Sequence, residues 1–142
     1  MFFTDDLYVH FTLANYLNSC NIRVQTSVGY CLTDFEIDNE TYIHGDKVDL
    51  EKVYEHNLNE CVINCPTQEG VLRYLRDVFN VFIDVRFNRV YQTYKYYIYS
   101  MDEDAEDMYE FIDVNRTMDY KQIVDDAIVH AVNDLINTGR IK

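Results

Sequence analysis

The sequence predicts a single α+β domain: an antiparallel sheet with helices mainly on one face, in the rough order α-β-β-(β)-α-β-β-β-α. Three observations point there. Tyr120, Ile123, Val124, Ala127, Ile128, Ala131, Val132, Leu135 and Ile136 recur at helical spacing and lay a continuous apolar stripe, which needs a sheet to bury it. In residues 81–88, Val81, Ile83, Val85 and Phe87 alternate strictly with Phe82, Asp84, Arg86 and Asn88, the pattern of an antiparallel strand with one face on the core. The chain has 142 residues with one Pro and four Gly, enough for one core and little linker.

Residues 11–21 read as a short helix. Thr12 is its expected cap, Leu13, Ala14 and Leu17 its inward face, and Asn21 its left-handed exit. From 22 to 43 the pattern turns to β. Ile22 and Val24 alternate with Arg23 and Gln25, and Val28, Tyr30 and Leu32 share a face with Gly29 as a candidate bulge. Phe35, Ile37, Tyr42 and Ile43 extend the sheet around a turn at Asp38, Asn39 and Glu40. Asp49 can cap a helical turn through Leu50, Val53 and Tyr54, and residues 61–65 read as a strand.

Thr67 caps the second long helix, with Val71, Leu72, Leu75, Val78 and Phe79 as its buried face and Asn80 as its end. After the strand at 81–88, a hairpin near residues 89–92 leads to the Tyr-rich strand 93–100, and a third strand covers about 108–114. Asp119 caps the final helix in a box with Gln122, and Gly139 stops it. Residues 11–65 and 66–138 also share a faint helix–Asn–strand echo, at positions any helix-to-strand unit fills.

Charge is the strongest global feature: 25 acidic residues against 12 basic ones give −13. Such a chain repels phosphate backbones, so direct nucleic-acid binding is disfavoured and a protein partner, basic or itself nucleic-acid-binding, is favoured. No apolar run is long enough to cross a membrane, and residues 1–6 lack the basic start and apolar core of a signal peptide. The expected location is therefore a reducing cytoplasm, with Cys20, Cys31, Cys61 and Cys65 as small buried hydrophobes.

Pro66-Thr67, Leu75-Arg76, the run from Tyr94 to Ile98, and the final helix with Tyr120, Ile123, Ile128, Ala131, Val132, Leu135 and Ile136 resemble a set of small uncharacterised proteins of Bacteroides-type gut bacteria and their phages. Tyr74 departs from that pattern where a Trp usually precedes the Leu-Arg pair, and residues 123–127 depart from the usual Glu-Ala-Leu-Glu. The resemblance implies a source, a gut phage or its host, whose cytoplasm or virion would hold the protein. It implies no activity.

A search for chemistry finds no catalytic motif and no expected cofactor. Cys61 and Cys65 share a strand face with His56 upstream, but the spacing suits no usual zinc site, and no metal is expected. His130 has Asp126 one turn before it and Asp134 one turn after, a trio that suits either a solvated helix flank or a general acid. The order helix, three strands, helix is also that of a double-stranded-RNA-binding domain, but the acidic start of the last helix argues against phosphate contact.

Two interaction surfaces stand out. Asp102, Glu103, Asp104, Glu106, Asp107, Glu110 and Asp113 form a dense acidic cluster, and Asp34, Glu36, Asp38 and Glu40 alternate along another segment. Tyr97 and Tyr99 belong to the Tyr-rich strand, where Tyr offers contact area at low entropic cost. The expected function is a non-catalytic protein-binding role, as virion component, accessory factor or regulator of a host protein, with homo-oligomerisation open. The competing reading is an acidic nucleic-acid mimic that blocks a host defence system, and a third is a small enzyme using His130 with Asp126 and Asp134.

Overall fold

The computed structural model describes residues 7–101, the strand 108–112 and residues 119–141. The α+β class holds, but the strands divide into three antiparallel sheets, where the alternation alone suggested one. The chain forms two compact units, Met1–Gly70 and Val71–Lys142.

In the first unit, α1 (Phe11–Ser19) buries Leu13, Ala14 and Leu17. Its N-cap is His10, with no side-chain cap bond, so Thr12 lies inside the first turn and does not cap it. Asn21 takes the left-handed exit at φ 59°, and Ile22 N–H donates back to the Leu17 carbonyl at 2.9 Å. Burial then alternates as expected, with Ile22 and Val24 in and Arg23 and Gln25 out, yet no ladder forms there. A side chain substitutes for one rung: the Asn64 amide donates to the Val24 carbonyl at 3.3 Å.

Strand β1 (Val28–Cys31) is the middle of a sheet flanked by β4 (Lys47–Asp49) and β5 (Val62–Asn64), and all four of its residues are buried. Gly29 is not a bulge. It sits in register opposite Val48 and Asn64, where a Cβ would lie 2.5 Å from Leu50 Cδ2 and 3.1 Å from the Ile63 carbonyl oxygen. Close approach, not chain bending, is what requires glycine here.

Strands β2 (Phe35–Ile37) and β3 (Glu40–Tyr42) make a separate hairpin instead of extending that sheet. Asp38 and Asn39 at its tip have φ of 52° and 65°. Two left-handed residues define the turn whose twist matches that of paired strands, and Asp and Asn tolerate it best among residues with a side chain. The hairpin closes over a core of Cys31, Ile37, Val48 and Val53, with Phe35, Tyr42, Leu58 and Val62 around it. Helix α2 (Leu50–Glu55) starts as expected, with the Asp49 carboxylate accepting from Glu51 N–H at 2.9 Å. The Tyr30 hydroxyl donates to the Val9 carbonyl at 2.6 Å and ties the N-terminal segment to β1.

Helix α3 (Gln68–Phe79) runs across the boundary between the units. Thr67 caps it, its Oγ1 accepting from Gly70 N–H at 3.0 Å. Val71 and Leu75 are fully buried, but Val78, expected inside, is 55 % exposed, and Leu72 and Phe79 are half-buried. Asn80 ends the helix at φ 55°.

The second unit continues with β6 (Val81–Asn88), β7 (Thr93–Ser100) and β8 (Met108–Ile112), one antiparallel sheet in the order β6-β7-β8. Helix α4 (Tyr120–Asn137) lies across β7 and β6 on one face. Its capping box is complete: the Asp119 carboxylate accepts from Gln122 N–H, and the Gln122 side chain accepts from Asp119 N–H, both at 2.9 Å. Of the apolar stripe, Ile123, Val124, Ala127, Ile128, Ala131, Val132 and Leu135 are buried, while Tyr120 and Ile136 at its two ends are partly exposed. Gly139 at φ 78° closes the helix in a Schellman arrangement, with Gly139 N–H on the Ile136 carbonyl and Arg140 N–H on that of Leu135. The Arg140 guanidinium then reaches the Phe79 carbonyl oxygen.

Candidate functional site

The sheet of the second unit has two chemically different faces, set by the pairing of β6 and β7. Phe82 stands opposite Tyr99, Asp84 opposite Tyr97, and Arg86 opposite Lys95, all on the face turned away from α4. On the helix side are Ile83 opposite Ile98, Val85 opposite Tyr96, and Phe87 opposite Tyr94.

The helix side holds a cluster of polar side chains, Tyr96, Asp126 and His130, that could carry proton chemistry. Tyr96 is fully buried. Its hydroxyl donates to Asp126 Oδ2 at 3.0 Å and also meets His130 Nδ1. A phenol has a single proton, and a carboxylate only accepts, so the imidazole Nδ1–H is the donor to the phenol oxygen. The result is a directed chain from imidazole to phenol to carboxylate. Asp134, the third member of the expected trio, is exposed and lies outside this chain, and its backbone carbonyl accepts from Thr138 N–H at 2.9 Å and from the Thr138 hydroxyl at 2.8 Å.

Residue spacing on one helix brought His130 and Asp126 forward as candidates but not Tyr96. Its signal was nonetheless present: alternation in the Tyr-rich strand turns Tyr96 inward, and a buried Tyr hydroxyl needs a polar partner. Because Tyr96 is sealed from solvent, the chain fastens α4 to β7 and presents no reacting atom of the tyrosine to a substrate.

The opposite face is half-open and aromatic. Phe82 and Tyr99 stack with centroids 5.8 Å apart and planes 6° from parallel. Tyr97 has two cations near its ring, the Arg86 guanidinium 5.2 Å and the Lys95 ammonium 5.3 Å from the ring centre. Arg86 is held in place by Asp84 at 2.7 Å, and the same carboxylate, by hydrogen bond and by charge, raises the guanidinium pKa above its ordinary value. At the free end of the hairpin, Phe87, Val90 and Tyr91 are exposed, Val90 by 83 %.

Both tyrosines singled out from the sequence, Tyr97 and Tyr99, therefore sit on this face and are partly exposed. Glu110 stands opposite Tyr97 in the β7–β8 register. Asp102, Glu103, Asp104, Glu106, Asp107 and Asp113 lie outside the described residues.

The second acidic segment is engaged locally. Asp34 accepts from His44 N–H at 3.0 Å, Glu36 from the Thr41 hydroxyl at 3.3 Å, and Glu40 from the Tyr42 hydroxyl at 2.9 Å. Asp38 lies 3.8 Å from His56 Nε2. Sequence alternation placed these four together, but the hairpin uses them to hold its own turn and flanks.

All four cysteines are free thiols, and no group of three or more His, Cys, Asp or Glu side chains among the described residues is arranged to hold a metal ion. Cys31 is fully buried, and burial, then the nearby Asp46, Cys61 and Asp34, push its thiol up to about 11. Among the described residues no helix is long and apolar enough to cross a membrane. Comparison with protein families, curated proteins and solved structures gives no match, so function is read from residues and geometry.

Proposed function

We propose that the protein is a non-catalytic binding protein of a gut phage or its host, engaging a protein partner through the face of the β6-β7-β8 sheet turned away from α4. The observation that carries this reading is the grouping of Phe82, Tyr97, Tyr99 and Arg86 on that face, partly exposed and mutually braced. Tyr, Phe and Arg are residue types that protein interfaces concentrate: the rings desolvate a large area with only two rotors to freeze, and the guanidinium adds a planar fork of hydrogen-bond donors. Rings held by stacking and a guanidinium held by a carboxylate are already ordered, which lowers the cost of binding.

Charge supports the same surface. Residues 81–100 contain Arg86, Arg89 and Lys95 against a single carboxylate, Asp84, in a chain that carries −13 overall. The strand pair is thus locally basic in a strongly acidic molecule, and the exposed Val90 and Tyr91 extend it with apolar contact area. The phage or Bacteroides-type setting comes from the sequence resemblance alone.

Capture from host lysate with wild-type and substituted protein tests this. Tyr97→Ala with Tyr99→Ala should release the captured protein, whereas neutralising Asp102, Glu103, Asp104, Glu106 and Asp107 should leave it bound. The reverse pattern, with steep loss of binding in salt, would replace this reading with the acidic mimic.

A further inference from the structure

Strand β6 ends its sheet: β7 pairs with one side, and among the described residues no strand pairs with the other. Its hydrogen-bonding parity is set by the neighbouring pair. Met101 N–H donates to the Asn80 carbonyl at 2.8 Å, and Asn80 and Met101 stand opposite each other in the continued β6–β7 register. Antiparallel bonding alternates along a strand. Phe82, Asp84, Arg86 and Asn88 therefore bond to β7, and Val81, Ile83, Val85 and Phe87 turn their N–H and C=O groups to the open edge. This edge is eight residues long and contains no proline. Shortness and proline, two devices that blunt an edge, are missing from it, and its two charges, Asp84 and Arg86, are of opposite sign.

We propose that two copies of this chain pair through β6, edge to edge and antiparallel, with Val85 opposite the partner's Val85. This rests on the edge alone and holds whether or not the face described above binds a partner. A twofold axis at Val85 sets Asp84 opposite the partner's Arg86 and Arg86 opposite the partner's Asp84, so both charged positions of the strand meet the opposite charge. Centring on Asp84 or Arg86 would instead oppose like charges, which destabilises a strand pair. On the other face the Val85 register sets Ile83 opposite the partner's Phe87, covering a ring that is 52 % exposed in the single chain.

The parity agrees with this register. Val85, Ile83 and Phe87 all offer edge-facing backbone groups, so each of these pairs exchanges two hydrogen bonds. The contact is isologous and closed, so it stops at a dimer. Paired residues share a face, so both Tyr97–Tyr99 surfaces come to the same side of one continuous sheet.

Sedimentation equilibrium over a dilution series, in reducing buffer to exclude cysteine cross-linking, tests the pairing. Wild-type protein should approach twice the 17.0 kDa chain mass at high concentration and dissociate on dilution. Arg86→Asp leaves only carboxylates facing across the seam and should raise the dissociation constant about tenfold or more. Adding Asp84→Arg to it should restore the dimer. Val85→Pro removes an N–H that faces the edge and not β7, and should give a folded monomer by circular dichroism. A wild-type monomer throughout the series overturns the proposal, and so does a dimer indifferent to Arg86→Asp. If Val85→Pro fails to fold, the charge series decides alone.

Discussion

The hydroxyl of Tyr96 donates to Asp126 across 30 residues of sequence at 3.0 Å, and the same oxygen accepts from His130 one helical turn further on. One buried phenol thus binds two polar side chains of α4 to the middle strand of its sheet. Tyr96→Phe keeps the ring and deletes only the oxygen. It should cost about 1–3 kcal/mol, since two partly buried polar groups lose their partner while packing is unchanged. Urea unfolding measures this. A loss near zero would mean that water satisfies both groups and that the chain of bonds does not anchor the helix.

Gly139 is a cleaner test of local structure. Its φ is 78° and a Cβ there would meet nothing within 4 Å, so Gly139→Ala carries a conformational cost alone, about 1–2 kcal/mol for a left-handed residue with a side chain. Gly29→Ala differs in kind. Its φ is not left-handed, and the penalty comes from Leu50 Cδ2 and the Ile63 carbonyl. Overpacking of that sort costs about 1–3 kcal/mol. Pairing Gly29→Ala with Leu50→Ala should recover part of the loss, whereas Gly139→Ala should be indifferent to any neighbour.

Stability should fall at alkaline pH through Cys31. The thiol has an ordinary value of 9.0 and is pushed to about 11 in the fold, chiefly by burial. Below 9 both folded and unfolded chains hold the proton, so the contribution is complete. As pH rises from about 9 towards 11 the unfolded thiol ionises and the folded one does not, so the folded state loses ground. Thermal unfolding across that window should show a downward slope that Cys31→Ala reduces. Thiol labelling below pH 9 should modify the partly exposed Cys20 well before Cys31.

How much of this was legible in the sequence varies along the chain. The bounds of β6 and β7 and the capping box and Gly stop of α4 follow from local pattern, because each is decided within a few residues: alternation, a cap oxygen, a left-handed exit. Asn21, Asn80 and the Asp38–Asn39 turn are legible for the same reason.

What local pattern missed depends on distant partners. Ile22 and Val24 alternate like a strand and are buried like one, but a strand needs a neighbour in register, and among the described residues none forms a ladder with them. The split into three sheets has the same origin, since alternation states which residues face inward and not which strands pair. At the candidate site, spacing on one helix joined His130 to Asp126 and Asp134, whereas the real third member, Tyr96, comes from the sheet.

The central claim is that the Tyr97–Tyr99 face is where a partner binds, and side-chain footprinting by hydroxyl radicals tests it most directly. With the captured partner present, Tyr97, Tyr99 and Phe82 should lose most of their modification, while Tyr54, half-exposed in the first unit, keeps its own. Unchanged modification at Tyr97 and Tyr99 in a complex that is demonstrably formed would contradict the account.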